Sequence, residues 1–169
     1  MEMSYIWVLL AALIGLCVGW FLGDFRYTSH KNKEKSVVWC GLDFIARTGF
    51  EFVSIPNAEF LAFQGSRIID GFIAELEFKI SDGETALFRA AVNTNRDISR
   101  KIHLPYSSTH HFSIDDINVT LHHNHAGPQL ALWEKGKFRY SLFLPKPEPN
   151  LMNGLIQLFV RDASCRLSG

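Results

Sequence analysis

The chain has 169 residues, with 17 basic and 17 acidic side chains and a formal net charge of zero. Glu2 is the only charged side chain before residue 24. The rest of the chain therefore carries 17 basic and 16 acidic residues and a formal charge near +1. This balance excludes the strongly basic surface that nucleic-acid binding requires. Residues 39–169 have the size of one domain, and no internal repeat suggests more.

The first predicted element is a transmembrane helix within residues 1–25. Residues 5–23 (YIWVLLAALIGLCVGWFLG) carry no charge, and about 28 Å of helix matches the hydrocarbon thickness of a bilayer. Aromatic residues stand at both ends of the run, as at membrane interfaces. A cleavable signal peptide is disfavoured because the chain begins MEMS and has no A-x-A site before Asp24. We therefore expect the lipid bilayer to be a permanent partner.

Small residues recur every fourth position along this helix, at Ala11, Gly15, Gly19 and Gly23. They lie on one stripe, where a second helix can approach closely. We expect this stripe to pack against a helix of a second copy or of a different protein. Chance spacing of common membrane residues is the alternative.

Residues 26–38 form a basic juxtamembrane linker. Arg26, Lys31, Lys33 and Lys35 follow the span, and the positive-inside rule then places the rest of the chain in the cytoplasm. Cys40 and Cys165 lie at opposite ends of the remaining domain. They could form a disulfide in an oxidising compartment, or remain free in a reducing one.

The domain at residues 39–169 begins with ambiguous patterns. Residues 37–46 (VVWCGLDFIA) fit a short helix or a strand, and we favour the helix. Residues 50–56 alternate like a strand until Pro56, and an apolar patch follows at residues 60–63. The clearest signal is a β-hairpin within residues 68–92, with one wet face and a turn at residues 81–83.

Residues 93–113 are polar and predict a long surface connection. Three runs, at residues 117–122, 130–134 and 138–144, then predict an antiparallel meander. Asn150 is the expected N-cap of an amphipathic helix at residues 151–160 that closes over the sheet. The predicted fold class is α+β, with a transmembrane helix, a curved antiparallel β-sheet and a C-terminal covering helix.

This order, with the segments TGFEF, IIDGFIAELEF, RDIS, INVTLHHN and LALWEKGKFRYSL, resembles a membrane-anchored domain of unknown function common in Gram-positive bacteria. Such domains are sometimes found behind anti-sigma-factor segments. The resemblance covers roughly residues 45–160 and implies that Trp133, Gly136 and Tyr140 belong to the last hairpin. It also implies an extracytoplasmic domain, against the positive-inside rule, and we favour the extracytoplasmic side. RKIHLPYSSTHHF and the pair His122 and His123 depart from the family pattern.

Five of the seven histidines cluster near the ends of the strand at residue 117, close to Asp115 and Asp116. If a metal binds, the candidate ligands are His111, His123, His125 and Asp116. A solvated histidine-rich loop explains the same pattern, and we favour it. Asp115 and Asp116 are expected in a turn.

No nucleophile motif and no phosphate-binding loop are present, so we predict a non-enzymatic protein without a cofactor. The favoured function is a membrane-anchored binding or sensing module. A single-pass accessory subunit of a larger membrane complex is the alternative, and a metal-dependent enzyme using the histidines is the third hypothesis.

Overall fold

The computed structural model describes residues 38–40, 44–81, 83–93, 97–99, 102, 104–146 and 149–169. The predicted membrane helix, its small-residue stripe and almost all of the basic linker lie outside these residues. Within them, no helix has the length and apolar character needed to cross a bilayer. Residues 36–169 form one compact unit.

Ten strands and two helices make up the described part of this unit. In chain order they are β1 (Val38–Cys40), α1 (Ile45–Thr48), β2 (Phe50–Ser54), β3 (Leu61–Ile69), β4 (Ile73–Ile80), β5 (Thr85–Val92), β6 (Ser108–Ile114), β7 (Ile117–His123), β8 (Gln129–Lys135), β9 (Phe138–Leu144), α2 (Pro149–Asp162) and β10 (Ser164–Leu167). The protein is thus mostly antiparallel β-sheet with a helix near its C-terminus.

Eight strands form one sheet in the order β1-β3-β4-β5-β9-β8-β7-β6. All neighbours are antiparallel. The sheet therefore consists of two meanders, β3-β4-β5 and β6-β7-β8-β9, joined where β5 pairs with β9. β2 and β10 form a separate antiparallel pair.

The predicted β4–β5 hairpin is confirmed, and Gly83 in its turn adopts φ 95°, which glycine tolerates. The prediction that one face of β4 is exposed to solvent is wrong at one end of the strand. Ile73 and Glu75 point away from the core face and are nevertheless buried, whereas Lys79 on the same side is exposed. Half of this second face is therefore covered by other parts of the chain.

Three boundaries differ from the sequence expectations. Residues Val38–Cys40 form strand β1, because they pair with β3, and only one helical turn follows at α1. The expected connection at residues 93–113 ends early, since β6 begins at Ser108. Asn150 lies inside α2, which begins at Pro149, so it is not the N-cap. The predicted meander over β7, β8 and β9 is confirmed.

One face of the sheet, the core face, packs against α2 and the β2–β10 pair. Phe88 lies at the centre of this layer, with its ring centroid 4.6 Å from that of Phe159 on α2 and 5.9 Å from that of Phe52 on β2. Trp133 and Tyr140 stack on the same ring at 6.1 Å and 5.9 Å. The covering helix predicted at the C-terminus is therefore present, and aromatic packing holds it on the sheet.

Candidate functional site

The opposite side of the sheet, which we call the outer face, is covered in part by the described residues of the connection between β5 and β6 (97–99, 102 and 104–107), which we call the crossing segment. Ile98 in this segment packs into a small apolar cluster with Ile69, Ile73 and Ala91, and Ile98 itself is only 4% exposed. Removal of these side chains from water stabilises the crossing. The crossing segment therefore explains why the face predicted to be wet is partly buried.

Beside this cluster, one carboxylate lies between two guanidinium groups. Arg67, Glu75 and Arg89 are direct cross-strand neighbours on β3, β4 and β5. Glu75 is 1% exposed and accepts hydrogen bonds from Nε of Arg67 and, at 2.6 Å, from Nε of Arg89. Arg89 also donates through Nη1 to the carbonyl oxygen of Ile98 at 3.2 Å. The charged trio thus ties the crossing segment to the sheet.

A cavity of about 480 Å³ opens where the crossing segment meets β7, β8 and β9. Its lining includes Ile98 from the segment, Thr120 and Leu132 from the sheet, and the charged pair Glu134 and Arg139. Oε1 of Glu134 accepts a hydrogen bond from Nε of Arg139 at 2.8 Å, while Oε2 accepts one from Asn93 at 2.8 Å. The cavity therefore combines an apolar part with oriented polar groups, the usual character of a small-molecule site.

The histidines at the free end of the sheet separate into two pairs on opposite faces of the β6–β7 hairpin. The rings of His110 and His123 stack with centroids 4.9 Å apart and planes 23° apart. On the outer face, Nδ1 of His111 lies 3.1 Å from Oγ1 of Thr120, and Nδ1 of His122 lies 2.9 Å from Oγ1 of Thr109. Strand pairing thus gives these side chains two different environments.

The four candidate metal ligands are not brought together. His111 and His123 project from opposite faces of the hairpin. His123 lies opposite Ser108, so it shares the face of the even-numbered residues of β6, whereas His111 is on the other face. Asp116 lies in the β6–β7 turn, as expected for that residue, whereas His125 follows the far end of β7. The described residues contain no group of three His, Cys, Asp or Glu side chains that could hold a metal ion.

His122 is covered by the end of the crossing segment. The ring of Tyr106 lies over it at 5.6 Å between centroids, and the Tyr106 hydroxyl donates to the carbonyl of Ile102 at 3.2 Å. Burial, with a smaller contribution from the charge of His111, lowers the pKa of His122 below its ordinary value. Burial also raises the pKa of Tyr106 to about 12.

Cys165 carries a free thiol and lies half-buried on β10 against the core. Burial raises its pKa to about 12, although a hydrogen bond with Tyr140 acts in the opposite direction. A thiol with such a pKa is almost entirely protonated at neutral pH and is a poor nucleophile. This agrees with a structural role for Cys165.

Sequence reasoning missed both the charged trio and the cavity. One signal was available for the trio: Arg89 stands within the otherwise uncharged run TALFRAAV of β5, where a buried charge needs a partner on a neighbouring strand. No comparable signal exists for the cavity, because its lining comes from distant parts of the chain.

Comparisons of the chain with protein-family models, with curated proteins and with solved structures found no match.

Proposed function

We propose that this protein is a membrane-tethered binding module, without catalytic activity, whose ligand site is the cavity on the outer face. The cavity carries the proposal, because it lies between the sheet and the crossing segment and a ligand there contacts both. Its mixed lining favours a small amphipathic molecule, with apolar contacts at Ile98 and Leu132 and hydrogen bonds to Thr120 and the Glu134–Arg139 pair.

The tether and its orientation are part of the same proposal. The uncharged run at residues 5–23 supports a single-pass anchor, and the family resemblance of residues 45–160 supports a domain outside the cell. The lysines and arginine of the linker support the cytoplasmic alternative. Labelling of Lys79→Cys, an exposed position, with a membrane-impermeant maleimide in intact cells tests the orientation. Labelling only after lysis would favour the cytoplasm.

Binding can be tested by saturation-transfer NMR with the full chain in nanodiscs and a library of small polar and amphipathic compounds. Leu132→Trp fills the cavity and should abolish binding, whereas Val53→Trp, at a position 58% exposed on β2, is the matched control and should not. Thr120→Val removes the hydroxyl, and with it one polar contact, with almost no change in volume. Compounds that bind the parent and Leu132→Trp equally would contradict the site, provided that circular dichroism shows both folded.

A second function, an accessory subunit of a larger membrane complex, is favoured by exposed aromatic side chains. Phe60 and Phe63 are 40% and 44% exposed near the start of β3. Exposed aromatic groups are typical of protein–protein contacts. A photoreactive amino acid at Phe63 should then form one discrete cross-linked product in native membranes, and the same label at Lys79 should not.

A further inference from the structure

Strand β6 ends the eight-stranded sheet, and one side of it lacks a neighbouring strand in the described part of the chain. Its seven residues pair one to one with β7, from Ser108 opposite His123 to Ile114 opposite Ile117. No other described strand pairs with it. The backbone N–H and C=O groups on its free side can therefore accept another strand.

The two edges of the sheet differ in how they are protected. β1, at the other edge, has three residues in the part of the chain that the structure describes, and a short edge strand offers little to pair with. Proline, charged side chains and β-bulges usually protect an edge strand from pairing with another strand. β6 has seven residues (STHHFSI) and contains no proline, lysine, arginine or carboxylate, and its register with β7 has no bulge. β6 is thus the sheet edge available for an added strand.

The sequence of β6 is complementary to itself. In an antiparallel pair centred on His111, Phe112 comes opposite His110 of the second copy, and Thr109 comes opposite Ser113. In this register odd-numbered residues lie opposite odd-numbered ones and even-numbered residues opposite even-numbered ones. The core faces of the two copies are then on the same side, and the two sheets form one continuous sheet. Phe112 is half-buried and packs against the core, and the second copy would cover its remaining surface. No lysine, arginine or carboxylate is brought against another.

We infer that β6 is a dimerisation edge at which a second copy of this chain adds its own β6 in antiparallel register, centred on His111. A second copy fits better than an unrelated peptide, because the same uncharged strand supplies both halves. Confinement of two anchored copies to one membrane would raise their effective concentration. The inference does not depend on what the cavity binds.

The register can be tested by cross-linking. The test uses the full chain in membranes, with Cys17 and Cys40 replaced by alanine and Cys165 by serine. Directly opposed residues have Cα atoms about 4.5–5.5 Å apart, within reach of a disulfide. His111→Cys should therefore form a covalent dimer on mild oxidation. Thr109→Cys alone should not, since its two copies are offset by four residues, or about 14 Å.

A mixture of Thr109→Cys and Ser113→Cys chains should cross-link, because those two positions face each other. Cross-linking of Thr109→Cys with itself at the efficiency of His111→Cys would overturn the register. Failure of both His111→Cys and the mixture would overturn the dimer.

Charge exchange tests the interface without a thiol. The double variants Thr109→Lys/Ser113→Lys and Thr109→Glu/Ser113→Glu place like charges opposite each other in a dimer, at positions exposed in the single chain. Self-association of each double variant, measured by fluorescence energy transfer in liposomes, should be weaker than that of the parent by about tenfold or more. A mixture of the two double variants should associate again. Unchanged association of either double variant, with a native circular dichroism spectrum, would overturn the inference.

The membrane helix needs its own control, because its small-residue stripe is predicted to bind a helix. Gly15→Leu/Gly19→Leu disrupts that stripe and leaves β6 intact. The cross-link at His111→Cys should persist in this background. Loss of the cross-link there, with retained association of the lysine double variant, would assign the dimer to the membrane helix and overturn the role of β6.

Discussion

Glu75 and Arg89 are opposed residues of β4 and β5, and their carboxylate Oε2 and guanidinium Nε lie 2.6 Å apart, with both side chains almost fully buried. Arg89 extends this contact to the backbone of the crossing segment through the carbonyl of Ile98. One charged side chain therefore couples the central strands to the segment that covers the outer face. Loss of the Glu75–Arg89 pair should therefore destabilise both the central strands and the crossing segment.

Glu75→Gln should destabilise the protein by about 3–5 kcal/mol, because it removes the buried negative charge that both guanidinium groups contact. Glu77→Gln, two residues along the same strand and only half-buried, is the matched control and should cost less than about 0.5 kcal/mol. Urea unfolding of the purified chain measures both.

The double variant Glu75→Leu/Arg89→Met should recover much of that loss, since it removes the buried charges together. Equal stabilities for Glu75→Gln and Glu77→Gln would show that the charged trio does not hold the sheet.

His122 should make the fold less stable in acid. Because its pKa is lowered in the folded protein, protonation favours the unfolded chain. The stabilisation is complete above the ordinary imidazole value of about 6.5 and is lost as the pH falls from there through the lowered folded-state pKa. Thermal unfolding between pH 7.5 and 5 should show this decrease.

His122→Gln should flatten that pH dependence, whereas His125→Gln, in the exposed turn after β7, should leave it unchanged. A parent-like slope in His122→Gln would assign the acid sensitivity to another group.

Cys165 should react slowly with thiol reagents in the folded protein. Burial raises its pKa to about 12, so that its thiolate is scarce at pH 7.5. In a background with Cys17 and Cys40 replaced by alanine, iodoacetamide labelling should be at least tenfold slower in buffer than in urea, with a surface Lys79→Cys variant as the accessible reference. Equal rates at the two sites in buffer would contradict the assignment.

Lys135 should stabilise the end of α2. Its Nζ donates to the carbonyl oxygens of Val160, Arg161 and Ala163 at 2.9, 3.1 and 3.2 Å, and a cation at a helix C-terminus also interacts favourably with the helix dipole. Lys135→Met should cost about 1–2 kcal/mol by urea unfolding. Lys137, two residues further along, is exposed and serves as the matched control. Lys137→Met should change the free energy of unfolding by less than about 0.5 kcal/mol.

Local patterns predicted the elements whose signal lies within one stretch of chain. The β4–β5 hairpin, the β7–β8–β9 meander and the C-terminal helix were visible because alternation and helical spacing depend on neighbouring residues. The turn at Gly83 follows from the same local chemistry. Strand β10 was not predicted, and a strand at β1 was only the less favoured alternative for residues 37–46, since each is defined by pairing with a distant strand.

The sequence by itself thus determined the alternation of β4, the turn chemistry and the amphipathic helix, because periodicity is a property of adjacent residues. Only the tertiary structure decided that Glu75 and Ile73 are buried, since the covering residue Ile98 lies in a later segment. It also decided that His111 and His123 face apart, because strand β6 begins at Ser108 and its register with β7 assigns each residue to a face. Contacts between residues far apart in the chain, which no local period encodes, settle both outcomes.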